Sequence, residues 1–184
     1  RLYALEQSYR RLQKMTTTSR GNDSTMIQKL MDEAAAFIKE EEYFEAEKRF
    51  IEIISHNPKY TKAYEELGHL YLLDRNIEQA RETLSFALKL SPDDASVHVS
   101  LGEVEMRDGH PEKALEMFGR AIALRPHNPK YLDYFIESAL EATDRDEAYR
   151  GIELLREVNP ENKKLEEFET RLREMILGEQ TVEK

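Results

Sequence analysis

Residues 63–80 read AYEELGHLYLLDRNIEQA, and their interpretation turns on Gly68. Leu67, Leu70 and Tyr71 recur at the spacing of one helix face, so the stretch is helical on both sides of the glycine. A glycine inside a helix costs roughly 1 kcal/mol relative to alanine. A strong helix that carries this defect has a use for the missing side chain, and the physical use is close approach of a second helix. The expected partner is Ala80, on the helix that follows.

The same device returns at a fixed interval. Gly102 lies 34 residues after Gly68, and each glycine follows a leucine, Leu67 and Leu101. The same step links Ala46, Ala80, Ala114 and Ala148, and it links Pro58, Pro92, Pro126 and Pro160. A third column, Phe50, Leu84, Phe118 and Ile152, is large and apolar throughout. Four copies in register without an insertion define an internal repeat.

This period and these columns resemble the tetratricopeptide repeat, whose pattern is W-x2-L-G-x2-Y…A-x3-F…P over 34 residues. The second copy matches best, with Tyr64, Leu67, Gly68, Tyr71, Ala80, Leu84 and Pro92. The third keeps Leu101, Gly102, Ala114, Phe118 and Pro126 but places His98 and Glu105 where aromatics belong. The first has Leu30, Ala34, Phe37, Ala46, Phe50 and Pro58. In the fourth, Phe135 and Ile136 replace Leu-Gly, leaving Ala148, Ile152 and Pro160. The resemblance covers about 27–160. It implies an all-α fold, a right-handed superhelical array of helix-turn-helix repeats, whose surface docks other proteins without catalysis.

Turn and cap signals place the helices independently. Asn76 with Gln79 has the capping-box spacing. Asp108-Gly109-His110-Pro111 stops one helix and starts the next with proline at the first turn, where its missing donor does no harm. Helix pairs are expected near 26–41/44–56, 61–74/77–90, 95–108/111–124 and 129–142/145–158. A capping helix at about 161–177 would turn Leu165, Phe168, Leu172 and Ile176 onto the last repeat, as terminal elements of stacked arrays do. The expected organisation is a basic amphipathic helix and polar linker over 1–25, repeats at about 27–60, 61–94, 95–128 and 129–162 within 26–160, then a capping helix and tail over 161–184.

Composition excludes several classes. The net charge of −10 argues against general nucleic-acid binding, which needs Lys and Arg to neutralise phosphates. There is no cysteine, so no disulfide framework and no thiolate metal site. No apolar run approaches the ~18 residues that span a bilayer, and the start shows no signal-peptide pattern. The chain begins with Arg1 rather than methionine, which points to a piece of a longer protein. Residues 1–20 hold five basic residues against one acid, and Leu2, Leu5, Tyr9 and Leu12 follow heptad spacing. Packing on the array, a stub beside an upstream membrane helix and a dimerising coiled coil all fit that segment. Thr25 with Gln28 is the expected cap of the first repeat helix.

Enzymatic motifs are absent: no glycine-rich phosphate loop, no H-E-x-x-H and no G-x-S-x-G. No cofactor and no metal site are expected, because His56, His69, His98, His110 and His127 are scattered and none pairs with another at i,i+3 or i,i+4. His56, His110 and His127 belong to turns and are expected in solvent, while His98 fills an aromatic column.

In arrays that this chain resembles, the first helix of each pair lines a concave groove. The matching columns nominate Met31 and Asp32; Glu65, Glu66, His69 and Leu72; Val99, Ser100, Glu103 and Met106; and Asp133, Tyr134 and Glu137. These positions carry six carboxylates and no Lys or Arg, and one sign repeated in one concavity favours a partner of opposite sign. The resemblance to domains that grip chaperone C-termini through lysines and asparagines fails here, since Met31, Ala35, Glu66, Ser96 and Ser100 stand in that stretch. The expected function is a non-catalytic, cytoplasmic scaffold that binds a basic or amphipathic protein segment. Two alternatives stand beside it: a module that self-assembles through the N-terminal helix, and the cytoplasmic regulatory part of a protein tethered to a membrane upstream of Arg1.

Overall fold

The computed structural model describes residues 22–182, and its regular elements there are all α-helices. Four helices lie in a first compact unit that ends at Pro92: α1 (Asn22–Lys39), α2 (Tyr43–His56), α3 (Thr61–Leu73) and α4 (Ile77–Leu90). Five lie in a second unit that starts at Asp93: α5 (Ala95–Arg107), α6 (Pro111–Leu124), α7 (Pro129–Glu141), α8 (Arg145–Val158) and α9 (Leu165–Val182). Within the first unit α1 pairs with α2 and α3 with α4, and α2 packs on α3. Within the second, α5 pairs with α6 and α7 with α8; α6 packs on α7, and α9 covers α8 and α7.

Three of the four hairpins close by fitting a large side chain into the gap beside a glycine. A Cβ added to Gly68 would lie 2.5 Å from Leu84 Cγ, and one added to Gly102 would lie 2.4 Å from Phe118 Cε1. The partner of Gly68 is therefore Leu84, one helical turn beyond the expected Ala80. Ala80 is fully buried but only completes the seam. In α7/α8 the fit is inverted. Ile136 stands in the glycine column, and Gly151 on α8 makes room for it, with a Cβ there only 2.6 Å from Ile136 Cγ1.

The turn inside each hairpin is also repeated. Glu41, Arg75, Gly109 and Thr143 all have positive φ, between 57° and 75°. Each is followed by a residue whose N–H returns to the helix: Glu42 to Phe37 O, Asn76 to Tyr71 O, His110 to Glu105 O and Asp144 to Ala139 O, at 2.7–2.9 Å. This left-handed cap satisfies carbonyls that the helix end would leave without partners. It also alters the Asn76 capping box. The Asn76 N–H is already spent on Tyr71, so Gln79 bonds the Asn76 side-chain amide instead, while Asn76 Oδ1 accepts from Gln79 N at 3.2 Å.

One expected cap and one expected helix start differ from the sequence reading. α1 is already helical at Asn22, the first described residue, so Thr25 lies inside the helix rather than at its cap. α9 begins at Leu165 rather than 161, because Asn162 holds the preceding segment in a turn: its Oδ1 accepts from Lys164 N at 2.8 Å and its amide donates to Asp133 at 2.9 Å. On α9, Phe168 and Leu172 are buried and Met175 packs against the core, whereas Ile176 is 40% exposed and leaves the expected face. The basic amphipathic segment over 1–20 lies outside the described residues.

Two stability tests follow from the seams and turns. Gly68→Ala should cost roughly 1–3 kcal/mol, because buried Leu84 must move to admit the methyl group. The cost should shrink in a Leu84→Ala background, a coupling that a urea-denaturation double-mutant cycle reads directly. At the turns, nothing lies within 4 Å of a Cβ on Gly109, so the penalty of Gly109→Ala is conformational, about 1–2 kcal/mol. Thr143 is a β-branched residue at φ 57°, so Thr143→Gly should raise stability by up to about 1 kcal/mol in the same assay.

Candidate functional site

The nominated columns lie on the first helices of the hairpins, and their surroundings differ between the two units. In the first unit, Asp32 is exposed and accepts from Gln28 Nε2 at 2.9 Å, and Met31 is half-buried. On α3, Lys62 lies between Glu65 and Glu66, with Nζ at 3.0 and 2.9 Å from their carboxylates. Burial lowers the pKa of this ammonium, and the hydrogen bonds and charges of Glu66 and Glu65 outweigh that, so the net shift is upward. Glu65 is 5% exposed, which makes it part of the packed helix flank. Leu72 is likewise buried, and His69 is half-buried beside it on the helix.

In the second unit, α5 and α7 bring four of the nominated residues into one constellation. The Tyr134 ring stacks on Phe118 at 5.3 Å between centroids and 10° between planes, while its hydroxyl bonds the Glu103 carboxylate. Burial raises the phenol well above its ordinary range, and the Glu103 hydrogen bond and charge raise it further. Next to it, Asp133 accepts from the Asn162 amide, and burial pushes its carboxyl upward. Glu137 is ion-paired to Arg171 of α9 at 2.6 Å, and the same guanidinium reaches Glu141 at 3.0 Å. Met106 is half-buried against the core, whereas Val99 and Ser100 are buried, and Ser100 Oγ turns back to donate to Ser96 O.

The columns therefore carry more basic neutralisation than their own composition suggests. Lys62 precedes Glu65 and Glu66 by one helical turn, and Arg171 lies 34 residues beyond Glu137, in the same column continued into α9. Extending the repeat by one more step would have revealed it. Two other features were missed altogether. One is an acidic and aromatic hollow of about 490 Å³ lined by Glu41, Glu42, Tyr43, Glu47, Tyr71 and Asp74, where Tyr71 donates to Glu47 at 2.7 Å. The other is His110, whose ring lies among carboxylates rather than in open solvent as expected.

Residues 66–129 match the tetratricopeptide repeat family. Residues 66–129 thus carry the tetratricopeptide repeat, and the all-α fold is that of tetratricopeptide repeat proteins, a class of generally non-catalytic folds that supports protein-interaction scaffolds. Over 90 residues it is 33% identical to the type IV pilus assembly protein PilF of Pseudomonas aeruginosa, an alignment that takes in 49% of this chain and 36% of that one. Among solved structures, a tetratricopeptide repeat protein from Parabacteroides merdae superposes with a TM-score of 0.74 at 15% identity, covering 84% of this chain and 61% of that one. The MamA protein superposes with a TM-score of 0.66 at 16% identity, covering 83% and 87% of the two chains. The chain thus spans about a third of its curated relative and under two thirds of the Parabacteroides protein. Among the described residues no helix is long and apolar enough to cross a membrane.

The raised phenol of Tyr134 makes a spectroscopic prediction. Tyr134 should ionise only well above the ordinary range in an alkaline absorbance titration, and Tyr134→Phe should remove one such late-titrating phenol. A phenol whose folded pKa exceeds its unfolded value near 10 supports the fold below pH 10 and withdraws that support as pH rises further. Alkaline unfolding should therefore become less steep in Tyr134→Phe.

Proposed function

We propose that this chain is a protein-interaction scaffold that takes a basic or amphipathic segment of another protein on the acidic faces of its first helices, with α5 and α7 as the principal seat. The observation that carries this reading is the Glu103–Tyr134–Asp133 constellation. Half-buried aromatic anchors in well-packed surroundings dominate binding energy at protein interfaces. Tyr134 is such an anchor, held by its stack on Phe118 and its bond to Glu103. Glu103 and Asp133 are charge partners for lysine or arginine, and Met106 offers an adaptable apolar contact. Lys130, with Nζ 5.7 Å from the Tyr134 ring centroid, indicates that a cation is at home against this ring. The name of the pilus assembly relative, a protein that takes part in building a larger structure, supports a scaffold role.

The test is fluorescence anisotropy with a labelled peptide that alternates lysine and arginine with leucine. Glu103→Gln with Asp133→Asn removes two charges while keeping an acceptor for the Tyr134 hydroxyl and the Asn162 amide. This pair should weaken binding roughly two- to thirty-fold, as two partly screened charge pairs of about 0.2–1 kcal/mol each imply, and should flatten its salt dependence. The control, Glu112→Gln with Glu116→Gln, removes the same charge from exposed positions of α6 and should matter less than two-fold. Equal losses from both pairs would mean that net charge alone drives association. No loss from the α5/α7 pair would remove this face as the seat.

A further inference from the structure

We infer that the turn between α5 and α6 is a binding site for a first-row divalent cation such as zinc, held by Glu105, Asp108 and His110. One ligand atom from each lies within 4.8 Å of the others. His110 Nδ1 is 3.1 Å from Asp108 Oδ2 and 3.3 Å from Glu105 Oε2. Despite that closeness, Nδ1 is a buried atom with no hydrogen bond. Neither oxygen lies along the axis on which an imidazole N–H donates. Off-axis oxygens at this range suit a shared metal. An ion about 2.0–2.1 Å from each ligand sits on the ring axis and sets its other ligands roughly 3.0–3.4 Å from the nitrogen. One imidazole and two carboxylates are a donor set for zinc, manganese or iron rather than for a soft ion. Three protein ligands leave a further position for water or for a group from another molecule.

The backbone pre-organises this set. Gly109 takes φ 75°, His110 N donates to Glu105 O at 2.9 Å, and Pro111 fixes the start of α6. The turn thereby brings a residue of the last turn of α5 next to one five positions later. The equivalent turn in the preceding hairpin places Tyr71, Asp74 and Asn76 at these positions, so the geometry recurs without the imidazole. Glu105 is 7% exposed in a column where Tyr71 puts a phenol, so its carboxylate is held close against the turn. Lys113, with Nζ 3.9 Å from Glu105 Oε2, is itself largely exposed, so it can swing away when a cation enters.

Isothermal titration of the metal-free chain with zinc chloride should show one site of micromolar affinity, and urea denaturation should shift to higher urea with saturating zinc. Cobalt(II) should bind the same site and give visible ligand-field bands. His110→Ala should weaken zinc binding by at least about ten-fold and abolish both the urea shift and the cobalt bands. His110 makes no side-chain cap bond, so this variant should keep its helical circular dichroism. Asp108→Asn should weaken binding in the same way, while His127→Ala, at an exposed turn elsewhere, should leave it unchanged. Absence of binding at millimolar zinc, or binding unaffected by both His110→Ala and Asp108→Asn, would overturn the assignment.

Discussion

A glycine on one helix and a leucine, phenylalanine or isoleucine on its partner form the contact on which three of the four hairpins depend. At 2.4–2.6 Å from the position of an added Cβ, Leu84, Phe118 and Ile136 occupy volume that any other residue would claim. Close approach lets α3 lie on α4, α5 on α6 and α7 on α8 with the rest of the seam filled by alanine: Ala80, Ala114 and Ala148 are all fully buried. The inverted fit in α7/α8 shows that the constraint is complementarity of volume, not a glycine at a fixed place. A large residue in the glycine column is accepted when a glycine stands opposite. Dense packing punishes even one added methylene, so the two positions are set as a pair.

The turns impose a second periodic requirement, through the backbone. Each first helix ends in a residue of positive φ, and the N–H that follows it returns to a carbonyl five residues back. Only Gly109 meets this at no steric cost; Glu41, Arg75 and Thr143 adopt the same conformation because two backbone hydrogen bonds and the packed helices on either side demand it. One fixed turn with variable side chains is also how the chain acquires local chemistry. The same geometry that places a phenol and an amide together at Tyr71 and Asn76 places a carboxylate and an imidazole together at Glu105 and His110.

Charge on the first helices is balanced by residues outside the nominated columns. Lys62 holds Glu65 and Glu66 from within α3, and Arg171 holds Glu137 and Glu141 from α9. Arg171 stands 34 residues after Glu137, and Phe168 and Leu172 beside it are buried against the last hairpin. The terminal helix therefore behaves as the first helix of one more unit, packing its apolar stripe on α8 and α7 and sending a base back across its predecessor. What stays most distinctive on α5 and α7 is an aromatic ring fastened between a core phenylalanine and a carboxylate, a combination suited to recognition because its rotamer is settled before any partner arrives.

The repeat, its period and the helix pairs were legible in the sequence because they rest on local rules: periodic apolar positions, alanine and proline columns, and cap residues that act within a few neighbours. The Asn76 side-chain acceptor and Pro111 act as the spacing suggests, since the groups they satisfy or spare lie within three residues. The start of α9 was misplaced because Asn162 is held by Asp133, 29 positions away. The partner of Gly68 was misassigned by one turn, because a helix crossing decides which side chain meets the gap. The burial of Glu65, Val99 and Ser100 and the pairing of Glu137 with Arg171 arise from neighbouring helices. The sequence by itself determined a chain of helical hairpins with an acidic surplus. Only the tertiary structure decided which acids are neutralised, which ring is locked against them and which histidine lies among carboxylates, because each of those facts depends on the distance between atoms that the chain brings together only by folding.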